Sequence, residues 1–492
     1  MKNQAIGKNI VIIGSGIGGL SAGIILLLLG YNVTVVEKNP LAGGLMRSYR
    51  RADMDCPVGV HYVGALGENE PLGRIFHFLG IRVDDLFERM GQDGVIDRYV
   101  LENFVFDFPV GIDAFEANLR AAFPRDKQAI DIIMQTLREI AGWMLNPSFL
   151  INPGGMFSNI DYFSSMGEYL KRLHISSGLR NVLAVPARTV IGIPLTECPI
   201  FFYYMVIAGY LFSSWRLKES GSKMAGVFAQ RFSELGGKLI LNNGAAKILL
   251  KGAQVVGLQL KSSDFLTADA VVAAIHPKVL LALMDPAAIK ESYRRRLKGL
   301  QETESVVAAQ VSVDAQAHCE LTHNIYAMQT DEEGVMNRGE FYQLCRGNNQ
   351  GRNLLSIITK SLYQEWSKWE GTNTGRRGPD YEEKKMSIAH DLLQNAARIF
   401  GKLKGAEIVD AYTPLTLRDY VNCPEGSCYG LMRSTGQLLR IASLTNIPLS
   451  GLYLAGQNAV ASGILGSMLG SYDAARKIAG AERFEQALQE NT

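Results

Sequence analysis

Apolar and polar positions follow different periods along this chain, and the changes of period divide it into elements. Ile10-Val11-Ile12-Ile13 is an unbroken β-branched run, the pattern of a short strand buried on both faces. A glycine-punctuated stretch, Gly14 to Gly19, separates it from an apolar helix over residues 19–29, which Gly30 stops. A second strand over 32–36 ends at Glu37. Leu72, Ile75, Phe76 and Leu79 then recur at helical spacing up to Gly80, and residues 100–106 alternate loosely as one strand. Helices are expected over 113–119 and 129–145, the second with Ile133, Leu137, Ile140 and Met144 on a broad apolar face. A helix over 222–235 precedes strands over 238–241, 246–250, 255–260 and 268–274. Four runs between 306 and 358 predict a mainly antiparallel sheet, the expected floor of a substrate cavity. Residues 370–380 read as a flexible surface turn and 382–400 as an amphipathic helix. Near the end, a strand from Gly451 enters a glycine turn at Gly456, and a second helix opens at Ser462-Gly463.

Residues 199–215, PIFFYYMVIAGYLFSSW, stand apart because they hold seven aromatics and no charge. The stretch is too short and too punctuated to cross a bilayer comfortably. Two readings stay open: a buried core helix, or the wall of an apolar tunnel in which aromatic faces would meet a flat conjugated substrate.

Composition narrows the class. A chain of 492 residues can build two or three domains, and its 47% hydrophobic and 20% charged content excludes wholesale disorder. A net charge of +2 gives no reason to expect nucleic acid as a partner. The six cysteines are scattered; Cys423 and Cys428 alone lie close, and that spacing without a nearby His predicts no metal centre. They read as reduced thiols of a cytoplasmic protein. Lys2 and Lys8 before an apolar stretch imitate a secretory leader, but the glycine-rich turn interrupts it without a cleavage site.

The candidate chemistry begins in the glycine turn. Gly14, Gly16 and Gly19 have G-x-G-x-x-G spacing between a strand and a helix, and the second strand ends in an acid, Glu37. That order carries a mechanism for binding a dinucleotide. The first glycine allows the tight turn and the second admits a pyrophosphate to the backbone. The third lets helix pack on strand, so the helix N-terminus, with Ile17 and Gly18, faces the phosphates. Glu37 is placed to accept hydrogen bonds from a ribose.

Beyond Glu37 and Lys38, the chain adds Gly43-Gly44 and Arg47-Ser48. This pattern resembles the extended E-x5-G-G signature of FAD-dependent oxidoreductases of the amine oxidase and phytoene desaturase type. The string GVHYVG over 59–64 and the strings TPLTLRDY, PEGS and YG between 413 and 430 resemble the retinol saturase and carotenoid isomerase branch. The resemblance implies an α/β fold: a Rossmann-like FAD-binding domain of the glutathione-reductase type, with an inserted α+β substrate domain on a mainly antiparallel sheet. Residues 1–70, 221–285 and 411–492 would form the FAD domain, and 71–220 and 286–410 the substrate part. It also implies that Gly43, Gly44 and Arg47 hold the pyrophosphate side. Gly59, His61 and Tyr62 would lie beside the flavin ring and Ala246 beside the adenine. Gly456 and Gln457 would approach the pyrophosphate or the ribityl chain, and the N–H groups of Gly463, Ile464 and Leu465 would face the flavin edge that gains charge on reduction. Arg418, Tyr420, Glu425 and Tyr429 would be polar groups near flavin or substrate, with His61, Tyr62, Tyr429 and Glu425 as acid/base candidates.

The activity implied is hydrogen transfer to or from a carbon–carbon bond of a hydrophobic polyene or isoprenoid, with saturation preferred. Desaturation and redox-neutral cis–trans isomerisation by the same family are the alternatives. NADPH or NADH as donor, peripheral contact with the inner face of a membrane, and the oligomeric state stay open. A reading from another class is a prenyl-lipid carrier of the dissociation-inhibitor type, which shares the fold without flavin; the intact glycines and Glu37 argue against it. One departure is Lys218-Glu219-Ser220-Gly221-Ser222, where relatives often carry a glycine-rich turn.

Overall fold

The β-branched run becomes the centre of a parallel sheet. The computed structural model describes residues 7–102, 104–153, 160–330, 336–347, 351–444 and 446–491. In it, the strand Asn9–Ile13 lies between Asn32–Val36 and Ala270–Ala273, with Lys238–Ile240 and Leu452–Leu454 at the edges, all parallel. Its Ile10 to Ile13 are at most 4% exposed, which explains why all four are apolar rather than alternating. The sheet therefore collects strands from the beginning, middle and end of the chain. The helix Ile17–Leu28 and the closing helix Gly463–Ala479 pack side by side on one face.

The second large sheet has seven strands in the order Glu407–Tyr412, Ser305–Asp314, Arg352–Ser361, Met336–Arg346, Asn324–Thr330, Val95–Leu101 and Phe104–Pro109. Every pairing is antiparallel except that of Asn324–Thr330 with Val95–Leu101. The expected antiparallel sheet is present, extended by a hairpin. The single strand expected over 100–106 is instead the turn end of that hairpin, because the chain reverses after Leu101 and both arms pair. The amphipathic helix Pro379–Phe400 buries Ala389, Leu392 and Ala396 against Val311, Leu355 and Ile357 on one face of this sheet. Residues Tyr326, Met328, Phe341 and Ile358 line a cavity on the other.

The aromatic stretch forms the helix Ile200–Phe212, and Trp215 falls on the following strand, Ser214–Leu217. The helix serves both core and cavity. Tyr203, Tyr204, Ile207 and Leu211 are core, whereas Phe201, Phe202, Met205, Val206, Gly209 and Tyr210 line the cavity. Among the described residues no helix is long and apolar enough to cross a membrane. The loop before residue 379 is pinned rather than free: Arg377, 6% exposed, pairs with Asp419 and donates to Thr372.

Candidate active site

Two helix starts meet at one cavity of about 1010 Å³. The helix Ile17–Leu28 begins after Gly16 and the closing helix begins after Ser462, and neither has a side-chain cap. Uncapped first turns carry free N–H groups and the positive end of the helix dipole, so both present donors to an anion or a polar edge. A Cβ on Gly16 would meet open space, whereas one on Gly19 would stand 1.9 Å from the Gly14 carbonyl oxygen. Gly16 thus opens onto the cavity, and Gly19 seats the helix on the strand. Gly14, Gly16, Ile17, Gly18, Glu37, Lys38, Gly44, Gly59, Gly456, Gln457 and Gly463 to Leu465 all line the cavity.

Other expected residues act around it. Gly43, at φ +124°, donates its N–H to the Ser15 carbonyl at 2.9 Å, and Arg47 braces the same turn through the Leu41 and Gly44 carbonyls. Glu37 is buried at the strand end. Its Oε2 accepts from Ser15 N and Oγ at 3.0 and 2.7 Å, and its Oε1 from Asn39 N and Nδ2 at 2.9 Å. At the expected adenine side the cavity is lined one position earlier than Ala246. Ala245 and Gly244 line the cavity while Ala246 is exposed, because the register shift between Ala245 and Lys247 turns Ala246 outward. Glu425 is exposed, at φ +55° in the turn after Pro424, and does not line the cavity. Arg418 also lies off the cavity, tied to Asp419, Tyr363 and the Glu370 carbonyl, whereas Tyr420 lines it.

The polar groups on and behind the far wall come from five separate strands or loops. Tyr62 lines the cavity, stacked at 8° to the Phe341 ring and 4.8 Å from that of Tyr210. Its hydroxyl lies 3.0 Å from Asp97 Oδ2 and 2.9 Å from the Tyr326 hydroxyl. His61 Nδ1 faces Gln343 Oε1 at 3.2 Å, and its Nε2 is buried with no hydrogen-bond partner. Burial pushes His61 down to about 4, against the opposing Gln343 bond, so the imidazole is neutral at pH 7. Burial raises Asp97 to about 7, although bonds from Asn324 and Tyr62 pull the other way. Tyr429 donates to the Thr189 carbonyl at 3.0 Å, and burial holds its phenol neutral.

Sequence reasoning missed Asp97, Asn324, Gln343, Tyr326 and Arg433. Arg433, 4% exposed, lines the cavity and donates to the carbonyls of Val460 at 2.8 Å and Gln457 at 2.6 Å. It thereby fixes the loop between the last strand and the closing helix. Burial draws it down to about 10. None of the five left a local signal: Asp97 stands beside Arg98 in its strand, and Asn324 opens a strand that also carries Gln329 and Thr330.

These donors fit FAD. A glycine-lined opening, two uncapped helix starts and a buried acid at the second strand's end match a pyrophosphate, a flavin edge and a ribose. The All-trans-retinol 13,14-reductase of Danio rerio is 23% identical over 94% of this chain and 84% of its own length. The All-trans-zeta-carotene desaturase of Myxococcus xanthus is 22% identical over 67% of this chain and 66% of its own. An oxidoreductase from Methanosarcina mazei has a solved structure with a TM-score of 0.68 at 16% identity, covering 94% of this chain and 99% of that one, which places the fold. With residues 17–481 matched by the profile of the flavin containing amine oxidoreductases, and with both glycine-framed helix starts at one cavity, the chain belongs to that family.

Proposed function

We propose that this FAD-dependent oxidoreductase adds hydrogen across a carbon–carbon double bond of a hydrophobic polyene such as a retinoid or carotenoid. The observation that carries the reading is the continuity of one cavity. It runs from the glycine turn at Gly14 past Tyr62 and Phe341 to Phe201, Phe202 and Phe163. Aromatic faces there offer area to a flat conjugated chain with little loss of rotamer freedom. Gly14, Gly16, Gly44, Glu37 and the N–H groups of 463–465 would hold the cofactor. His61 and Tyr62 would lie on the far wall, and Gly19, Gly43 and Arg47 would support the turn. Bound FAD supplies the two-electron chemistry. The chain's own part is to orient the polyene, keep water out and supply a proton. Tyr62, whose hydroxyl stays neutral in this buried wall, is suited to that last task. Glu425 has no place in it.

The likeness to a zeta-carotene desaturase supports desaturation as the second reading, and redox-neutral isomerisation stands with it. NADPH or NADH would serve as donor for saturation. Peripheral membrane contact belongs to the same proposal. Leu438 and Leu439 line the cavity, Leu439 is 79% exposed, and their helix packs beside Glu291–Lys298, which carries Arg295, Arg296 and Lys298 on its surface. The test is an anaerobic visible spectrum of the purified protein with NADPH, NADH or dithionite, followed by incubation with retinol and with a longer carotene. Saturation requires bleaching of the flavin and one equivalent of reductant per product. Turnover of many substrates per reductant would instead establish isomerisation, and a protein that holds no flavin would end both readings.

A further inference from the structure

Behind the cavity wall lies a buried carboxyl that the binding of cofactor or substrate does not explain. Asp97 is 2% exposed on the strand Val95–Leu101 and does not line the cavity. Its register partner in the parallel pairing is Asn324, whose Nδ2 donates to Asp97 Oδ1 at 2.9 Å. Asn324 Oδ1 is in turn held by Gln343 Nε2 at 3.0 Å, which fixes the orientation of the Asn324 amide. The other oxygen, Oδ2, meets the Tyr62 hydroxyl, and Tyr62 meets Tyr326. Both tyrosines line the cavity.

No lysine, arginine or histidine pairs with Asp97 among the described residues. The titratable groups facing it are Tyr62 and Tyr326, with Tyr99 from its own strand and Tyr210 from the aromatic helix. His61 closes the far end through Gln343. A carboxyl buried without a cation is costly as an anion, and a purely structural role would be served by an asparagine. What a carboxyl adds is a second proton arrangement. Ionised, Asp97 accepts from Tyr62. Protonated, it donates to the Tyr62 oxygen, and the Tyr62 proton turns toward Tyr326. The pair Tyr62–Tyr326 admits either donor. Burial raises the carboxyl to about 7, so both arrangements lie within reach near neutral pH.

We propose that Asp97 is the proton reservoir of this site and acts through Tyr62, which alone meets the substrate. The inference rests on the polyene reductase reading above. The O–H bond of Tyr62 breaks as a C–H bond forms on one carbon of the double bond. The O–H bond of Asp97 then breaks as that of Tyr62 re-forms, and solvent returns a proton to Asp97. FAD, when bound and kept reduced by a dihydronicotinamide or dithionite, would supply the two electrons and the second hydrogen for the neighbouring carbon, so neither side chain changes oxidation state.

The experiment compares the wild-type holoenzyme with Asp97→Asn, Asp97→Glu and Tyr62→Phe. The first readout needs no substrate: infrared difference spectra between about pH 5.5 and 8.5 follow the carbonyl band of a protonated carboxyl. A band that disappears with a midpoint near 7 in wild type and is missing in Asp97→Asn is expected. A site whose carboxyl does not titrate in that range overturns the proposal, whatever the substrate. The second readout is kcat against pH with a polyene. Wild type falls above about pH 7, Asp97→Asn is slower by about tenfold to a hundredfold with a flat profile, and Asp97→Glu recovers the slope. An Asp97→Asn enzyme that keeps the wild-type profile makes Asp97 structural and overturns the relay. Titration of the band without turnover of any polyene removes the reductase reading instead. Should Asp97→Asn fail to fold, Asp97→Glu and Tyr62→Phe decide: a Tyr62→Phe enzyme with an unchanged pH profile also overturns the relay.

Discussion

A Cβ on Gly18 would stand 2.4 Å from the Cα of Gly456, so the first helix and the last strand touch backbone to backbone across 438 residues of sequence. The Ser471 hydroxyl, donating to the Gly18 carbonyl at 2.7 Å, ties the closing helix to the same point. Gly18→Ala must part these elements, because backbone cannot yield as a side-chain tip would. Overpacking of this kind costs about 1–3 kcal/mol. The expected result is a folded protein with a melting temperature lower by several degrees and a flavin content well below one per chain. Absorbance of the purified variant at the flavin and protein bands measures both claims, and a variant with full flavin occupancy would show that the contact does not shape the cofactor cradle.

Arg433 supplies the second point of closure. Its guanidinium bonds to the carbonyls of Gln457 and Val460, and among the described residues no carboxylate pairs with it. Arg433→Met keeps the length of the side chain but leaves buried carbonyls without donors, at about 3 kcal/mol or more. The loop into the closing helix should loosen before the sheet does. Hydrogen exchange would rise first over residues 456–462, and flavin would dissociate at least about tenfold faster. Uniform loss of protection across the chain would contradict this local role.

The parts of the molecule that were legible share one property. The turn Gly14–Gly19, the acid Glu37 and the helix start at Gly463 are local, and each carries its mechanism within a few residues. The proton network has no such signature. Asp97 and Asn324 become neighbours through parallel pairing over 227 positions, and Gln343 and His61 meet over 282. No period in the sequence encodes those registers. Two positions depend on local phase. Ala246 turns its side chain outward where the register of its strand shifts, and Glu425 sits in a left-handed turn that points it at solvent. The aromatic helix was ambiguous for a physical reason, since it is apolar all round and faces both core and cavity.

Two buried groups give stability opposite dependences on pH. The unfolded chain loses the Asp97 proton near 3.8, and the folded chain keeps it to about 7. Its contribution is therefore complete at low pH and disappears as pH rises through 7. His61 runs the other way: the unfolded imidazole takes a proton below 6.5 and the folded one near 4, so its contribution is lost as pH falls through that window. The melting temperature of Asp97→Asn minus that of wild type should rise by a few degrees between pH 4 and 7 and level off above. For His61→Gln the difference should grow toward acid instead. Calorimetry at four or five pH values tests both signs, and a flat difference for either variant would refute its assignment.

Met205 projects into the cavity from the aromatic helix between Phe202 and Tyr210. Met205→Trp puts a bulkier aromatic side chain into the passage and reduces its free volume. If a long polyene threads this passage, its kcat/KM falls by about tenfold or more while a short polyene loses no more than about twofold. Competition between a retinoid and a longer carotene in one reaction reads the ratio directly. Equal loss on both would mean that the substrate enters elsewhere.

Leu439 stands 79% exposed at a lip of the cavity, and Arg440 of the same short helix donates to the Arg296 carbonyl at 3.4 Å. Arg295, Arg296 and Lys298 are exposed on the adjoining helix Glu291–Lys298. An apolar tip beside a basic helix suits the interface of an anionic bilayer, where each basic residue contributes about 1 kcal/mol near the surface and the leucine adds its transfer energy. Flotation with vesicles of mixed phosphatidylcholine and phosphatidylserine should carry the wild-type protein upward, and salt should reverse it. Arg295→Glu, Arg296→Glu and Lys298→Glu together should abolish flotation while flavin content and turnover of detergent-dispersed substrate stay unchanged. Flotation that survives the triple change would move the contact to another face, and none by wild type would mean that substrate is delivered without the bilayer.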